Sequence, residues 1–510
     1  MVFVRSWFKL EVSYESDKGL VIDMDNFAIQ DEPMLRRSFL GRASLGLGSM
    51  ALAGLLQPRV LGAAPRDVPG GARYAGAMNP RHFAPKAKRV IFLCMAGGPS
   101  QLELFDEKPK LAEMHGQPVP ESVTKGQPIA QLQGQKELLC FGPQATFGRF
   151  GQSGQVISNY LPHIGSIADE ICIVRSMQTE QINHDPAHTF MNTGTNISGR
   201  PSMGAWVTYG LGTDCDDLPG FVVLTSRAGS RSPQPVSSRQ WHSGFLPGKF
   251  QGVPLHSVGD PVHYVGNPPG VDRSRQQDVI TAVNDLNRMR DAVEHNPEIS
   301  TRIAQYELAF RMQMSVPELV NISNEPQHVL DMYGVSGADG SFAYNCLLAR
   351  RLAERGVRFI HLYHRDWDFH DSLKHHMVEL CESADRASAA LISDLKQRGM
   401  LDETLVVWGG EFGRTPMAQG DVTTPKAGRD HHIRGFTMWL AGGGIKPGIS
   451  YGATDDLGYY AVDNIVHVHD LHATMLYLLG IDHERLTYRY QGRDFRLTDV
   501  AGHVVRDILT

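Results

Sequence analysis

Cysteine is scarce in this chain. There are six in 510 residues, at 94, 140, 172, 215, 346 and 381, with no Cys-x-x-Cys pair. Such scattered thiols argue against a disulfide framework and against a paired-cysteine redox motif. Cys94 and Cys172 sit inside apolar runs, where a buried free thiol is the ordinary expectation. An excess of basic charge is also missing: 49 Lys+Arg face 55 Asp+Glu, for a formal net charge of −6. That balance argues against a nucleic-acid partner. No apolar run reaches the roughly 20 residues that span a bilayer, so no transmembrane segment is expected in the mature chain. With 42% hydrophobic and 20% charged residues, the chain can fill a large core and is not of disordered composition.

The N-terminal part reads as a leader. Arg36-Arg37-Ser38-Phe39-Leu40 precedes a Gly/Ala-softened apolar stretch to Leu56 and the small residues Gly62-Ala63-Ala64. A twin-arginine start, a short apolar stretch and small residues are the marks of a twin-arginine export signal. An amphipathic N-terminal helix is the plainer alternative. Residues 1–33 are long and acidic for such a leader, and Met34 offers a second start. The expectation is a removed signal region over 1–63 and a single domain over 64–510, periplasmic or extracellular. Export of already folded chains suits a protein that takes up a metal first.

Short apolar runs alternate with helical patterns. Strands are expected at 89–96, 171–174, 221–225, 357–363, 404–408 and 437–441, continuous in β-branched and aromatic residues, as suits strands buried on both faces. Helices are expected over 342–355, over 373–398 with an apolar stripe of period 3.6, and from near Asp470 as its N-cap. Residues 228–280 lack periodicity and 281–320 read as a charged helical pair, together a surface excursion over about 228–320. Strand–helix alternation implies an α/β fold with a mostly parallel central sheet and helices on both faces. Ligands then bind beyond the C-terminal strand ends, where the polar clusters follow the strands.

Histidine is what the sequence has in clusters. Twelve of 22 lie after position 360, five of them between His361 and His376. In Asp366-Trp-Asp-Phe-His370 the i, i+4 pair Asp366 and His370 can share a metal if the segment turns; a solvated helix start is the plain alternative. Gly428-Arg-Asp-His431-His432 offers a third ligand, one of two adjacent histidines, or a mere loop tip. Glu411, directly after a buried strand, can bind metal or act as acid or base, and Arg414 beside it can hold an oxyanion, or the two close the sheet edge as an ion pair. Asn183-His184-Asp185-Pro-Ala-His188 ends at Thr193-Gly194 and carries a base or ligand, or only shapes a loop. Gly97-Gly-Pro-Ser100 follows the first strand.

Several of these segments together resemble one family. They are Val90 to Leu102, Asn183-His-Asp-Pro186, Trp408-Gly-Gly-Glu-Phe-Gly-Arg-Thr-Pro416, Gly428 to His432 and Leu486 to Asp499. The resemblance, over about 85–510, is to exported bacterial proteins catalogued as domain of unknown function 1501, regarded as sulfatase-like within the alkaline phosphatase superfamily. It implies that superfamily's sandwich of helices around a largely parallel sheet. It also implies a metal pair at Asp366 and His370, a later ligand at His431 or His432, and Glu411-Phe412 where the superfamily has Asp-His. His184 stands where sulfatases carry their nucleophile. No Cys or Ser occupies 184, so no formylglycine is expected, and no carboxylate follows the first strand.

The resulting expectation is an exported metal-dependent hydrolase of sulfate or phosphate esters. One divalent ion, zinc before calcium or manganese, would bind Asp366, His370, His431 or His432, and Glu411. It would polarise the ester and lower the pKa of its bound water toward about 7. His184 or that water would attack, Arg414 and Arg175 would steady the equatorial oxygens, and Asp185, His188 and Ser100 would bind substrate. The substrate would be a small-molecule or polysaccharide ester. The alternative is a non-catalytic protein of the same fold that binds carbohydrate or a protein partner in the cell envelope.

Overall fold

A computed structural model describes residues 13–15, 19–21, 76–78 and 80–510, apart from 128, 133–136, 227–235, 263–270 and 295–296. The chain divides into two compact units, Met1–Gly70 and Gly71–Thr510. In the first, Ser13–Glu15 pairs antiparallel with Gly19–Val21. The expected export signal lies outside the described residues.

The second unit is built on a nine-stranded sheet. Its strands are β1 Arg89–Met95, β2 Ile171–Gln178, β3 Phe221–Thr225, β4 Val253–Leu255, β5 Phe359–His364, β6 Thr404–Gly409, β7 Phe436–Ala441, β8 Ile449–Tyr451 and β9 Val466–His467. They run in the order β8-β2-β7-β6-β1-β5-β3-β4, with β9 also on β2. Only β7 is antiparallel, against both neighbours. Val406, Ile91 and Ile360 lie abreast in the centre. All six expected strands are present.

Alternation along β1 explains the layering. Ile91, Leu93 and Met95 enter one core, while Val90, Phe92 and Cys94 enter the other, because successive strand side chains point to opposite faces. The first core is closed by α5 Phe342–Glu354 and α6 Leu373–Gln397 through Leu348, Leu352, Leu391 and Leu395. The second is closed by α1 His184–Thr193, α2 Met203–Leu211 and α7 Val468–Leu478 through Phe190, Trp206, Leu471 and Met475. Each fully buried leucine or isoleucine contributes about 2 kcal/mol. All six cysteines are buried and free.

Two details depart from expectation. Val253–Leu255, inside the stretch without periodicity, forms the edge strand β4 against β3. The helical pair beyond it starts early, as α3 Arg273–Glu294 and α4 Pro297–Val320. The N-cap of α7 is His467, not Asp470; the Asp470 carboxylate accepts from the His467 N–H at 2.9 Å and completes a capping box. Among the described residues no helix is long and apolar enough to cross a membrane.

Candidate metal centre

Strands β1, β2, β5 and β6 run the same way, so the segments that leave them share one edge. There the side chains of His184, Asp368, His370 and His431 meet, one donor atom from each lying within 4.8 Å of the others. His184 opens α1, and Asp368 and His370 lie in the non-helical segment after β5. His431 comes from the two-residue strand His431–His432, paired with Gly413–Arg414.

Asp368 is the hub. Its Oδ2 is 3.1 Å from His184 Nε2. Its Oδ1 is 2.9 Å from His370 Nε2, 3.2 Å from His431 Nε2 and 2.5 Å from Arg414 Nη2. Burial pushes the Asp368 carboxyl up, but the Arg414 guanidinium and bonds from His184, His370 and His431 hold it far below the usual carboxylate range.

The outward nitrogens decide what the inward ones offer. His431 Nδ1 lies 2.8 Å from the Ile182 carbonyl, His370 Nδ1 2.6 Å from Gln419 Oε1, and His184 Nδ1 2.6 Å from Glu411 Oε1. An oxygen acceptor at Nδ1 accepts the ring N–H, so in the neutral ring Nε2 keeps a lone pair for an ion, whereas in the protonated ring Nε2–H donates to Asp368. Three such Nε2 atoms then face one carboxylate, with those of His370 and His431 only 2.9 Å apart. Lone pairs so arranged repel one another unless a proton or cation stands between them. Imidazole nitrogens with an oxygen behind each, plus a carboxylate, form a zinc-type donor set, so these residues fit a divalent ion. The His184, Asp368 and His370 side chains keep exposures of 14%, 17% and 19%, so one side of the group is open to a ligand.

Titration behaviour agrees. Burial lowers the His184 pKa, but Asp368 and Glu411 outweigh it and the net shift is upward. His431 is pushed down to about 4 by burial, against the pull of Asp368.

Glu411 supports the group from behind. Both its oxygens accept the Gly97 N–H, at 3.0 and 3.1 Å, and His188 Nε2 is 3.3 Å from Oε1. Burial raises its carboxyl and His188 and His184 lower it, to about 2. Glu411, His184 and His188 form a second set of convergent donors, but His184 Nδ1 cannot both donate to Glu411 and bind an ion. Phe412 walls the site, its ring 5.0 Å from that of His184 and 4.6 Å from that of His431.

Several expected site residues sit elsewhere. Asp366 is outside the group: its φ of 79° turns the chain there, and Asp368 occupies the ligand position. The sequence carried one signal for Asp368, its i, i+2 spacing from His370, which shares a face wherever a segment is extended. His432 points away from His431; its Nε2 lies 2.5 Å from the Tyr459 carbonyl. His184 is no free nucleophile, because both ring nitrogens face carboxylates. Arg414 is buried and spent on Asp368, on the Gly97 and Gly98 carbonyls and on that of Arg429. Arg175 donates to the carbonyls of Phe105 and Val156. Asp185 pairs with Arg239 at 2.9 Å, His188 is fully buried, and Ser100 donates to Glu103, which holds Arg429.

Solved structures resemble the fold at low similarity. One is a phosphonate monoester hydrolase from Silicibacter pomeroyi, at 11% identity over 83% of this chain and 76% of that one, with a TM-score of 0.34. A lipoteichoic acid synthase from Listeria monocytogenes aligns at 11% identity over 84% and 78%, TM-score 0.32. A sulfatase from Pseudoalteromonas sp. aligns at 11% identity over 78% and 68%, TM-score 0.32. No curated protein matches the chain. Residues 87–509 match the family described as "Protein of unknown function (DUF1501)", and the chain belongs to that family.

Proposed function

We propose that the protein is an exported, metal-dependent hydrolase of sulfate or phosphate esters, with one zinc-type ion held by His184, Asp368, His370 and His431. The observation that carries this reading is the convergence of three imidazole Nε2 atoms on Asp368, each ring backed by an oxygen. When bound, such an ion supplies Lewis-acid polarisation of an ester oxygen and activation of water. The chain's own groups prepare the site. Glu411, Gln419 and the Ile182 carbonyl fix the three rings, Arg414 fixes Asp368, and Phe412 keeps water from one wall. Among these groups none is a hydroxyl or thiol nucleophile, so water is the attacking group. His184 then acts as a ligand, and Glu411 keeps its tautomer.

A second reading, a non-catalytic binder of carbohydrate or a protein partner, draws on the commitment of Arg414 and Arg175 to internal carbonyls, which leaves neither free for a substrate oxyanion. Assays of aryl sulfate, aryl phosphate and aryl phosphonate esters with zinc, manganese and calcium separate the two. Hydrolysis of one ester, lost at least 100-fold in Asp368→Ala, is expected. Hydrolysis that survives Asp368→Ala, or its absence with every metal and ester, contradicts the hydrolase reading.

A further inference from the structure

The charged helical pair α3–α4 contributes nothing to the metal centre, yet α3 carries a pattern of its own. Val279, Leu286, Met289 and Val293 are exposed at 40%, 49%, 68% and 81%, and Ala282 among them is exposed as well. The five stand at alternating steps of three and four residues. That alternation keeps one stripe of a helix turned toward a partner helix in a coiled coil. Val279, Leu286 and Val293 take the a positions, and Ala282 and Met289 the d positions. The stripe is about 21 Å long at 1.5 Å per residue. The other side of α3 is already in use. Asn284 is buried and donates to Glu307 of α4 at 3.3 Å, and Arg288 reaches the same carboxylate at 3.5 Å. α4 thus covers the side of α3 that carries Asn284 and leaves the apolar stripe to solvent.

Single exposed apolar residues are ordinary, but a contiguous row of them marks an interaction surface. The rim says what covers this one. Valine at two of the three a positions suits two strands in parallel. In a parallel pair the g position of one helix meets the e position of the other. Asp285 is at g and Arg290 at e, so across a two-fold axis each acid faces a base, twice. An antiparallel pair would set g against g, and Asp278 and Asp285 would repel each other. Both charges are at the surface: Arg290 now bridges Glu294 at 2.6 Å and Asp285 meets Arg288 at 2.8 Å, all four exposed. Two such stripes with their rims bury roughly 1,000 Å² in all, the floor for a specific interface, which matches a reversible dimer.

We propose that α3 is a self-association surface, on which two copies of this chain pair their α3 helices in parallel, Leu286 against Leu286, with Asp285 of each copy facing Arg290 of the other. The pairing does not depend on the metal centre. Sedimentation velocity of the purified full chain, from about 1 to 100 μM, should show a concentration-dependent dimer of micromolar dissociation constant. Leu286→Glu places a charge at an exposed position, so the fold survives and the dimer is lost. Asp285→Arg and Arg290→Asp should each weaken association about tenfold, because each sets like charges face to face, and the double variant Asp285→Arg/Arg290→Asp should restore it. All six native cysteines are buried, so in Val293→Cys the added thiol is the exposed one. Its mild oxidation should join two copies, since a parallel pair sets Val293 beside Val293. A monomer at every concentration, which would leave the stripe to another protein, overturns the proposal. So does a dimer that survives Leu286→Glu, a double variant as weak as the single ones, or no cross-link in Val293→Cys.

Discussion

At the residue scale the site turns on where each imidazole proton rests. Glu411 accepts from His184 and also takes the Gly97 N–H with both oxygens, so it is a fixed acceptor. In Glu411→Gln the charge is gone and one oxygen becomes an NH₂ that faces the Gly97 N–H. Groups behind metal-bound histidines are typically worth 10- to 100-fold in affinity. Zinc binding by Glu411→Gln, measured by competition with a chromophoric chelator, should weaken by about that factor; unchanged affinity would mean that Glu411 does not orient His184. His370 was named from its i, i+4 spacing to Asp366, and the structure places it in the group beside Asp368 instead. The structure groups Asp368 rather than Asp366 with His370, because i, i+4 pairing assumes a helical turn, and residues 365–369 form no helix and turn at Asp366 with φ 79°. Choosing between His431 and His432 needed the register against Gly413–Arg414, which fixes the face each shows. The roles of Arg414 and Arg175 were out of reach, since which carbonyls an arginine meets is a property of chain segments distant in sequence.

At the element scale, close approach of loops brings the donors together. Gly97 has φ 125°, and a Cβ there would stand 2.6 Å from the Asp368 N and 2.7 Å from the Trp367 carbonyl carbon. Both are backbone, which cannot swing aside. Gly97→Ala should therefore cost roughly 2 kcal/mol or more in urea unfolding and loosen metal binding by displacing Asp368; unchanged stability and metal content would show that the loop has slack. The strands and long helices were legible because their patterns are long and periodic. β4 was not, for three residues of Val-Pro-Leu in a Ser- and Gly-rich stretch carry no period, and their pairing is dictated by β3. The α7 cap was misassigned by three residues, because an Asp at N3 and an Asp at the N-cap leave the same local signature; the His467 N–H bond decides it.

At the scale of the whole molecule, the sandwich buries histidines that no ligand needs. Burial pushes His361, His364 and His472 each down to about 3 from an ordinary 6.5. They are neutral when folded and take up protons when unfolded, so they weigh against the fold in acid. Their full stability is present above about pH 6.5 and is lost as pH falls toward 3, at up to about 4 kcal/mol per pH unit for the three together. Urea midpoints should therefore drop steeply between pH 6.5 and 4.5, and a flat profile would contradict this burial. The α/β class was legible from alternation alone, since parallel strands covered on both faces must be continuously apolar. The clustering of histidines marked the site-bearing edge, but it left out His184, which only the fold brings to His370 and His431. The central claim is the donor set, and metal content tests it most directly. Elemental analysis of the purified full chain should give about one zinc-type ion per chain in the parent and in Asp366→Asn, and almost none in Asp368→Asn. Equal metal in Asp368→Asn and the parent, or loss in Asp366→Asn alone, would contradict it.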